Sequence, residues 1–260
     1  MANIKIVANE PALIIEQKEK NKKKSTLVIA DLHIGIETEL GTENLARNAI
    51  KKMIDNIIRL IKETKADSLI LVGDIRHKLP SEKEYWQVMS EEEEIEHRIS
   101  IEVPDLLFRI KKECNIDVKI IPGNHDGGLK SYFETSDEIK IENIGIIHSH
   151  KWPSQELMKD IDTLIVAHSH PAVIFQDEFG YRTKTKVWIR GELDSKELKT
   201  QYDNINKQIS IIMMPAFNPL IIGSAINTEK KKFLGPILKE EMLKINKIEV
   251  FLLDGTQINV

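Results

Sequence analysis

Five short apolar runs constrain the fold of this chain most strongly, because each of them ends in polar residues that can bind metal ions or move protons. Short aliphatic runs bounded by turn residues are typical of strands buried in a sheet. Ligands bind beyond the carboxyl ends of such strands in open α/β folds. The five clusters are Asp31-Leu32-His33, Gly73-Asp74-Ile75-Arg76-His77, Gly123-Asn124-His125-Asp126, His148-Ser149-His150 and Ala167-His168-Ser169-His170.

The distribution of histidine indicates that these clusters meet. Seven of the 8 histidines lie in them, and only His97 lies elsewhere, in a glutamate-rich segment that predicts a surface helix. Many polar groups gathered at one edge are costly unless something binds them. Nitrogen and oxygen donors without thiolate suit Mn, Fe, Co, Ni or Zn. We expect Asp31 and His33 to share a metal, because residues i and i+2 of an extended backbone point the same way. The same reasoning applies to His168 and His170.

The order of patterns predicts an α/β fold with a βαβαβ N-terminal half and a β-rich C-terminal half. A hairpin is predicted over residues 4–16. Buried strands at 26–30, 68–72 and 118–121 then alternate with helical patterns at 42–62 and about 81–113, the second with a break near Pro104, which favours a parallel sheet. Closely spaced strands follow, which favour an antiparallel or mixed second sheet. With no linker or repeat, we expect one domain over residues 1–260. The later strands are predicted at 144–147, 163–167, 172–176, 181–190, 208–214 and 248–253.

The formal net charge of −4 excludes a global basic field, so any contact with nucleic acid must be local. The lysines of residues 18–24 predict a solvated loop or, alternatively, a patch for phosphates. Two further candidate patches are Lys184, Lys186 and Arg190, and Lys230–Lys232. A single cysteine, Cys114, excludes a disulfide framework within the chain and fits a reducing compartment. We find no signal sequence, and prolines interrupt the most apolar window, so a cytoplasmic protein without a membrane span is expected.

The five clusters, in order and each after a strand, resemble the five motifs of the calcineurin-like metallophosphoesterases. The resemblance covers residues 31–170. His77, three residues after Asp74, resembles the nuclease branch that contains SbcD. The segment Met214-Pro215-Ala216-Phe217-Asn218-Pro219 resembles archaeal SbcD-related phosphoesterases. The family implies a four-layer fold, in which a two-sheet β-sandwich is flanked by helices.

The resemblance also implies a site with two divalent metal ions, Mn²⁺ being the first choice and Fe, Ni, Co or Zn the alternatives. Asp31, His33 and His170 would hold the first metal, Asn124, His148 and His168 the second, and Asp74 would bridge them. His148 is preferred to His150 because the family uses the first histidine of that motif, in which Ser149 replaces a glycine.

The implied reaction is attack on phosphorus by a hydroxide that bridges the metals. His125 would act as the general acid, and His77 or Arg76 would steady the phosphate or orient His125. Two roles for Asp126 stay open: it orients a ligand, or it stabilises the turn.

Three functions compete for this site. The first is a phosphodiesterase or nuclease acting on nucleotides or nucleic acid, which His77 favours. The second is a phosphomonoesterase or cyclic-nucleotide phosphodiesterase, and the third is a non-catalytic binding scaffold that retains the fold. Repair nucleases of this branch carry a DNA-capping domain, whereas only about ninety residues follow His170 and they hold predicted core strands. A small groove for short or single-stranded substrates is therefore as well supported as duplex DNA. The nuclease relatives dimerise, which makes a homodimer an option.

Overall fold

A computed structural model provides the architecture. Four features predicted from the sequence lie outside the described residues: His97, the break at Pro104, Lys230–Lys232 and most of the helical pattern that begins near residue 81. The structure describes residues 2–19, 22–40, 42–77, 107–127, 129, 133–203, 205, 207–228, 233–239, 242–244 and 247–260.

The first sheet has five strands in the order β1-β2-β3-β4-β5. The first three are antiparallel, and β3, β4 and β5 run parallel, as the sequence predicts. The predicted loop at the lysine run is wrong, because Lys18 pairs with Lys23 within the β2–β3 ladder. Backbone pairing extends both strands into this polar stretch. The strands are β1 (Asn3–Ile6), β2 (Ala12–Glu19), β3 (Lys22–Ala30), β4 (Ser68–Val72) and β5 (Asp117–Ile121).

Two helices cover the outer face of this sheet. Helix α1 (Glu43–Thr64) begins after Thr42, whose side chain accepts a hydrogen bond from the Leu45 amide, and it ends at Lys65 in a left-handed conformation. Its apolar residues recur at helical spacing and bury one face, as predicted. Residues 107–114 form the described part of a second helix, α2, which contributes Leu107 and Ile110 to the same core.

The second sheet is mixed and runs β12-β9-β10-β11-β8-β7-β6, with β13 and β14 continuing from β10. Strands β7, β8 and β11 are parallel, and so are β9 and β12; the other described pairs are antiparallel. Sequence patterns predicted six of these strands and missed the short β6, β12 and β14. The elements are β6 (Glu138–Ile141), β7 (Ile144–Ile147), α3 (Gln155–Asp160), β8 (Thr163–Val166), β9 (Pro171–Gln176), β10 (Arg182–Glu192), α4 (Ser195–Gln201), β11 (Ser210–Met213), β12 (Ser224–Ala225), β13 (Glu249–Leu252) and β14 (Gln257–Ile258).

The two sheets pack face to face around an apolar layer. Val28 and Ile70 from the first sheet meet Ile146, Ile165 and the fully buried Trp188 from the second. The outer face of the second sheet buries a separate core beneath α3 and α4. The architecture is therefore helix, sheet, sheet, helix, and the expected two-sheet sandwich flanked by helices is confirmed.

Candidate metal centre

The predicted site residues lie where strands of both sheets end. Strands β3, β4 and β5 are parallel neighbours, and β7 and β8 are parallel neighbours in the other sheet, so their carboxyl ends meet at one edge of the sandwich. Two groups of three residues lie at this edge, and within each group the donor atoms lie within 4.8 Å of one another. These groups are Asp31, His33 and His170, called here the first cluster, and Asp74, His148 and His168, called the second cluster.

The backbone that presents these side chains is left-handed rather than extended. The φ angles are 56° at Asp31, 42° at His33, 43° at Asp74, 73° at His168 and 42° at His170. Our expectation that Asp31 and His33 converge through strand alternation is therefore wrong, and so is its extension to His168 and His170, which belong to different clusters. Residues other than glycine adopt this conformation at a cost of roughly 1–3 kcal/mol each, and such strain concentrates at functional sites.

The first cluster is built on a fully buried carboxylate. Asp31 Oδ2 lies 3.4 Å from His170 Nε2, and His33 Nε2 lies 3.4 Å from the same nitrogen. His33 Nδ1 is buried and has no hydrogen-bond partner among the described residues. The Asp31 carboxylate oxygen and the two imidazole nitrogens thus face one another, and no placement of the imidazole protons gives every polar atom of the three side chains a hydrogen-bond partner.

Asp74 lies between the two clusters. Its Oδ2 is 3.7 Å from His33 Nε2 in the first cluster, 3.5 Å from His148 Nε2 and 4.0 Å from His168 Nδ1 in the second. His148 Nε2 also lies 3.0 Å from Asp31 Oδ1. The two clusters are therefore contiguous, with Asp74 Oδ2 within 4.0 Å of imidazole nitrogens of both.

Burial controls the protonation of these groups. Desolvation lowers the pKa of His33 to about 3 and that of His168 to about 4, so both imidazoles are neutral near pH 7. Burial opposes ionisation of Asp31, but the charge of His170 and the hydrogen bond with His148 hold its pKa well below its usual range. Burial raises the pKa of Asp74, and the nearby negative charge of Asp31 adds to that effect.

This arrangement fits a pair of divalent cations. Two buried carboxylates, Asp31 and Asp74, share this edge with the neutral imidazoles of His33 and His168, whose nitrogen lone pairs could bind a cation. The donors are imidazole nitrogens and carboxylate oxygens, a set that suits the first-row divalent metals.

The other predicted site residues surround the clusters. The ring centroid of His125 lies 5.5 Å from that of His33, and its amide donates to Asp74 Oδ1 at 3.1 Å. His77 stacks parallel to His125 at 6.4 Å. Asn124, expected as a ligand of the second metal, is exposed, and its side chain makes no hydrogen bond to any described residue.

Asp126 joins two of the motifs, a role that sequence left open. Its Oδ1 accepts hydrogen bonds from the amides of Ile75 and Arg76 at 2.8 and 3.1 Å, and its Oδ2 accepts one from Gly123 at 2.8 Å. The buried carboxylate therefore ties the loop after β4 to the turn after β5. Both of the proposed roles, orientation of the site and stabilisation of the turn, are served by the same three hydrogen bonds.

The backbone at the centre of the His148-Ser149-His150 motif is left-handed. Ser149 has a φ of 75°, a conformation that glycine adopts without strain, and its hydroxyl donates to the Ala167 carbonyl at 3.0 Å. His150 Nδ1 lies 3.1 Å from His148 Nδ1, the nitrogen that faces away from the clusters. His150 is therefore a neighbour of the second cluster and outside its donor set.

Two buried residues, Asn218 and Glu37, and the half-buried Lys186 lie near the site, and the sequence assigned none of them to it. Asn218 is fully buried and donates to the Leu32 carbonyl, within the first motif, and to Glu37. Lys186 donates to the carbonyls of Ala216 and Asn218, and burial lowers its pKa to about 8. Of the candidate patch Lys184, Lys186 and Arg190, Lys186 is half-buried and its ammonium group is bonded to backbone carbonyls, whereas Lys184 and Arg190 are more exposed. The sequence marks the segment around Asn218 by its prolines and by the resemblance of residues 214–219 described above.

Among the described residues, none of the helices combines the length and the apolar character that a membrane span requires.

Comparison with known proteins supports the family. A family model described as metallophosphoesterase of the calcineurin superfamily matches residues 43–177. The chain is similar in structure to nuclease MPE of Pseudomonas putida, with a TM-score of 0.51, 17% identity, and coverage of 94% of this chain and 100% of that one. It is also similar to Yfce, a phosphoesterase from E. coli, with a TM-score of 0.37, 12% identity, and coverage of 90% and 96%. At 17% identity the likeness to nuclease MPE concerns the fold alone. A comparison with curated protein sequences finds no match.

Proposed function

The chain belongs to the metallophosphoesterases of the calcineurin superfamily, and we propose that it is a phosphodiesterase or nuclease that acts on nucleotides or nucleic acid. It is a hydrolase of ester bonds by that membership. The observation that carries the choice of substrate is the pair of stacked imidazoles, His125 and His77, beside the first cluster.

The metal ligands that we propose follow the two clusters. Asp31, His33 and His170 would hold one cation, His148 and His168 would hold the other together with Asn124, and Asp74 would bridge them. Bound divalent cations supply Lewis acidity and lower the pKa of a coordinated water to near neutrality. The short distances from Asp74 Oδ2 to nitrogens of both clusters support its bridging role.

His125 is proposed as the proton donor to the leaving oxygen. The hydrogen bond from its backbone amide holds residue 125 next to the proposed bridging carboxylate of Asp74, and its partly exposed ring is open to substrate. A positioned acid of this kind accelerates ester cleavage by typically 10²–10⁴-fold. His77, stacked parallel to His125, is proposed to orient that ring.

The charge around the site favours a diester over a monoester. A monoester is a dianion near neutral pH and needs cationic side chains beyond the metals, whereas a diester is a monoanion. Among the described residues, the basic side chains next to the motifs have other partners: Arg76 donates to the Gly127 carbonyl at 3.4 Å, Lys186 donates to those of Ala216 and Asn218, and Lys151 lies 3.6 Å from the Asp137 carboxylate. The described groups that remain beside the clusters are imidazoles, which suit proton transfer.

The test compares two chromogenic substrates. With Mn²⁺, purified protein is expected to hydrolyse bis-p-nitrophenyl phosphate with a higher kcat/KM than p-nitrophenyl phosphate, and a chelator should abolish both activities. Asp74→Asn, purified in the same way, controls for contaminating phosphatases. A preference for the monoester would favour the phosphomonoesterase alternative, and metal binding without turnover would favour the scaffold. A panel of dinucleotides, cyclic nucleotides, and single- and double-stranded DNA and RNA then identifies the substrate class.

Further features are proposed from the sequence alone. These are Mn²⁺ as the native metal, a place in the SbcD-related branch, a cytoplasmic location and a homodimer. We also propose that residues 1–260 act as one domain. The continuous apolar layer between the two sheets supports that proposal, since neither sheet buries its inner face without the other.

A further inference from the structure

The loop that carries Asp31 and His33 accepts hydrogen bonds from a segment almost two hundred residues later in the chain. The Phe217 amide donates to the Ala30 carbonyl at 2.7 Å. The Asn218 side chain donates to the Leu32 carbonyl, also at 2.7 Å. Two consecutive residues thus donate hydrogen bonds to the carbonyls of the residues on either side of Asp31.

The other hydrogen bonds of the Asn218 side chain fix its orientation towards the Leu32 carbonyl. It is fully buried, and its Nδ2 makes a second bond of 2.7 Å to Glu37 Oε1, while its Oδ1 accepts from the Leu220 amide at 2.9 Å. Glu37 is held in turn by the Gly35 amide at 2.9 Å. Both amide hydrogens of the side chain are therefore used, and their directions are fixed.

Lys186 supports the segment from the opposite side. Its ammonium group donates to the Ala216 and Asn218 carbonyls at 2.7 and 2.6 Å. Because β10 carries Lys186 in the middle of the second sheet, this contact links the segment to a rigid element. The loop of the first sheet is therefore connected, through the Asn218 segment and Lys186, to the second sheet, which also supplies His170.

Asn218 provides one of the two hydrogen bonds that fix the peptide group between Leu32 and His33. Asp31 and His33, on either side of Leu32, both have positive φ angles. The His33 amide of this peptide group donates to the Asp74 carbonyl at 2.7 Å, and the Leu32 carbonyl accepts from Asn218. Without Asn218 the peptide group keeps only the bond at its amide end, so its plane is less constrained and the donor groups of Asp31 and His33 can shift apart.

We propose that Asn218 is a positioning residue for the first cluster: it orients the Leu32 peptide and so sets the distance between the donor atoms of Asp31 and His33. The proposal rests on the metal-binding role given above and is independent of the substrate. Residues that orient metal ligands typically change metal affinity by 10–100-fold when they are replaced. The second cluster makes no contact with Asn218, so the effect should be confined to the first.

The experiment measures Mn²⁺ affinity in variants that keep one cluster each. His168→Ala disables the second cluster, and His170→Ala disables the first. Asn218→Asp keeps the shape of the side chain but presents an oxygen to the Leu32 carbonyl. Calorimetric titration should show Mn²⁺ binding weakened by about 10–100-fold by Asn218→Asp in the His168→Ala background, and by less than about 3-fold in the His170→Ala background. Equal losses in both backgrounds, or none in either, would overturn the proposal.

A paired exchange separates the Leu32 contact from the Glu37 contact. In Asn218→Asp with Glu37→Gln, the new glutamine amide can donate to the aspartate while its oxygen still accepts from Gly35, and the net charge is unchanged. The Leu32 carbonyl remains without a donor. Affinity at the first cluster should therefore stay low, and its recovery to the unsubstituted value would show that Asn218 serves only to anchor Glu37.

Hydrogen exchange gives a reading that needs no metal. The amides of His33 and Ile34 bond to Asp74 and Ile75 at 2.7 Å each. In metal-free Asn218→Asp these two amides should exchange faster, while those of β10 and β13 keep their rates. Unchanged exchange at His33 and Ile34 would refute the positioning role. Absent hydrolysis would refute the proposed function and leave this result intact.

Discussion

The side chains at this site differ in how firmly the chain holds them. Asp31, Asp74 and Asp126 are buried and bonded to backbone amides, whereas the His125 ring is partly exposed and only its amide is fixed. Rigid carboxylates suit groups that hold cations, and a ring that can adjust suits a group that meets substrate. Replacing His125 and replacing a group that supports the carboxylates should therefore have different consequences.

His125→Ala should leave metal binding intact and remove the proton donor. We expect two metals per chain to be retained while kcat on a dinucleotide falls by roughly 10²–10⁴-fold. The loss should be smaller on bis-p-nitrophenyl phosphate, because p-nitrophenolate leaves without needing a proton. Elemental analysis and steady-state kinetics on the two substrates measure both effects. Loss of the metals would make His125 a ligand, and equal losses on both substrates would exclude the acid role.

Gly123→Ala tests how closely the turn after β5 approaches Asp74. A Cβ atom there would lie 2.0 Å from Asp74 Oδ1 and 2.3 Å from the Asp74 backbone nitrogen, and backbone cannot turn aside as a flexible side chain can. We expect this variant to lose Mn²⁺ binding and activity together. Gly255→Ala is the matched control: nothing lies within 4 Å of its Cβ position, and its φ of 90° should cost stability alone. Near-normal metal affinity in Gly123→Ala would contradict the crowding argument.

For individual residues, the sequence predicted the types of side chain in the two clusters well and their backbone geometry poorly. Asp31, His33 and His170 were found because a polar cluster after an apolar strand is a local pattern. The left-handed backbone that presents them leaves no comparable local mark. Asp126 and Asn218 act through bonds to residues 51 and 186 positions away, and no single-sequence pattern reveals such pairs.

Among the elements, buried strands were predicted and polar ones were not. Strands β4 and β7 are aliphatic and wholly buried, so their character is local. The lysine-rich ends of β2 and β3 carry no such signal, because pairing between the two strands, rather than burial, keeps them extended. Lys23 also pairs with Glu16 at 2.7 Å, so part of the expected basic patch is already neutralised.

The lysine hairpin lies at the far end of β3 from the site, which limits what it can do. Eight residues separate Lys23 from Asp31, about 26 Å along a strand. Replacing Lys18, Lys22 and Lys24 with alanine should therefore leave turnover of bis-p-nitrophenyl phosphate unchanged. On DNA it should weaken binding, and flatten its salt dependence, only for duplexes longer than about 8 base pairs. An equal effect on shorter duplexes would place the lysines nearer the site than β3 allows, and no effect at any length would leave them as a solvated hairpin.

For the whole molecule, the site is where the two sheets are joined. The first cluster combines Asp31 and His33 of the first sheet with His170 of the second, and the second cluster combines Asp74 with His148 and His168. Ionisation and metal binding at this edge should therefore act on the stability of the entire sandwich.

The metal-free protein should lose stability as the pH falls from 6.5 towards 4. Desolvation lowers the pKa of His33 to about 3 and those of His150 and His168 to about 4, from an ordinary value of 6.5. In this interval these three histidines bind protons in the unfolded chain but stay neutral in the folded chain, so unfolding becomes more favourable as the pH falls. The raised pKa of Asp74 opposes the trend in its lower part. Urea unfolding of chelator-treated protein at several pH values measures it, and constant stability between pH 6.5 and 5 would contradict it.

Metal binding should stabilise the sandwich as a unit, because each cation would hold residues of both sheets together. At a free Mn²⁺ concentration of 100 times Kd, each site adds about 2.7 kcal/mol to the free energy of unfolding. For a chain of this length that corresponds to a rise in Tm of roughly 5–10 °C per site. Thermal unfolding with Mn²⁺ and with a chelator measures the shift, and His170→Ala, which keeps one complete cluster, should show about half of it. If the rise in Tm is the same in His170→Ala as in the unsubstituted chain, the first cluster does not bind metal and the proposed pair reduces to a single site.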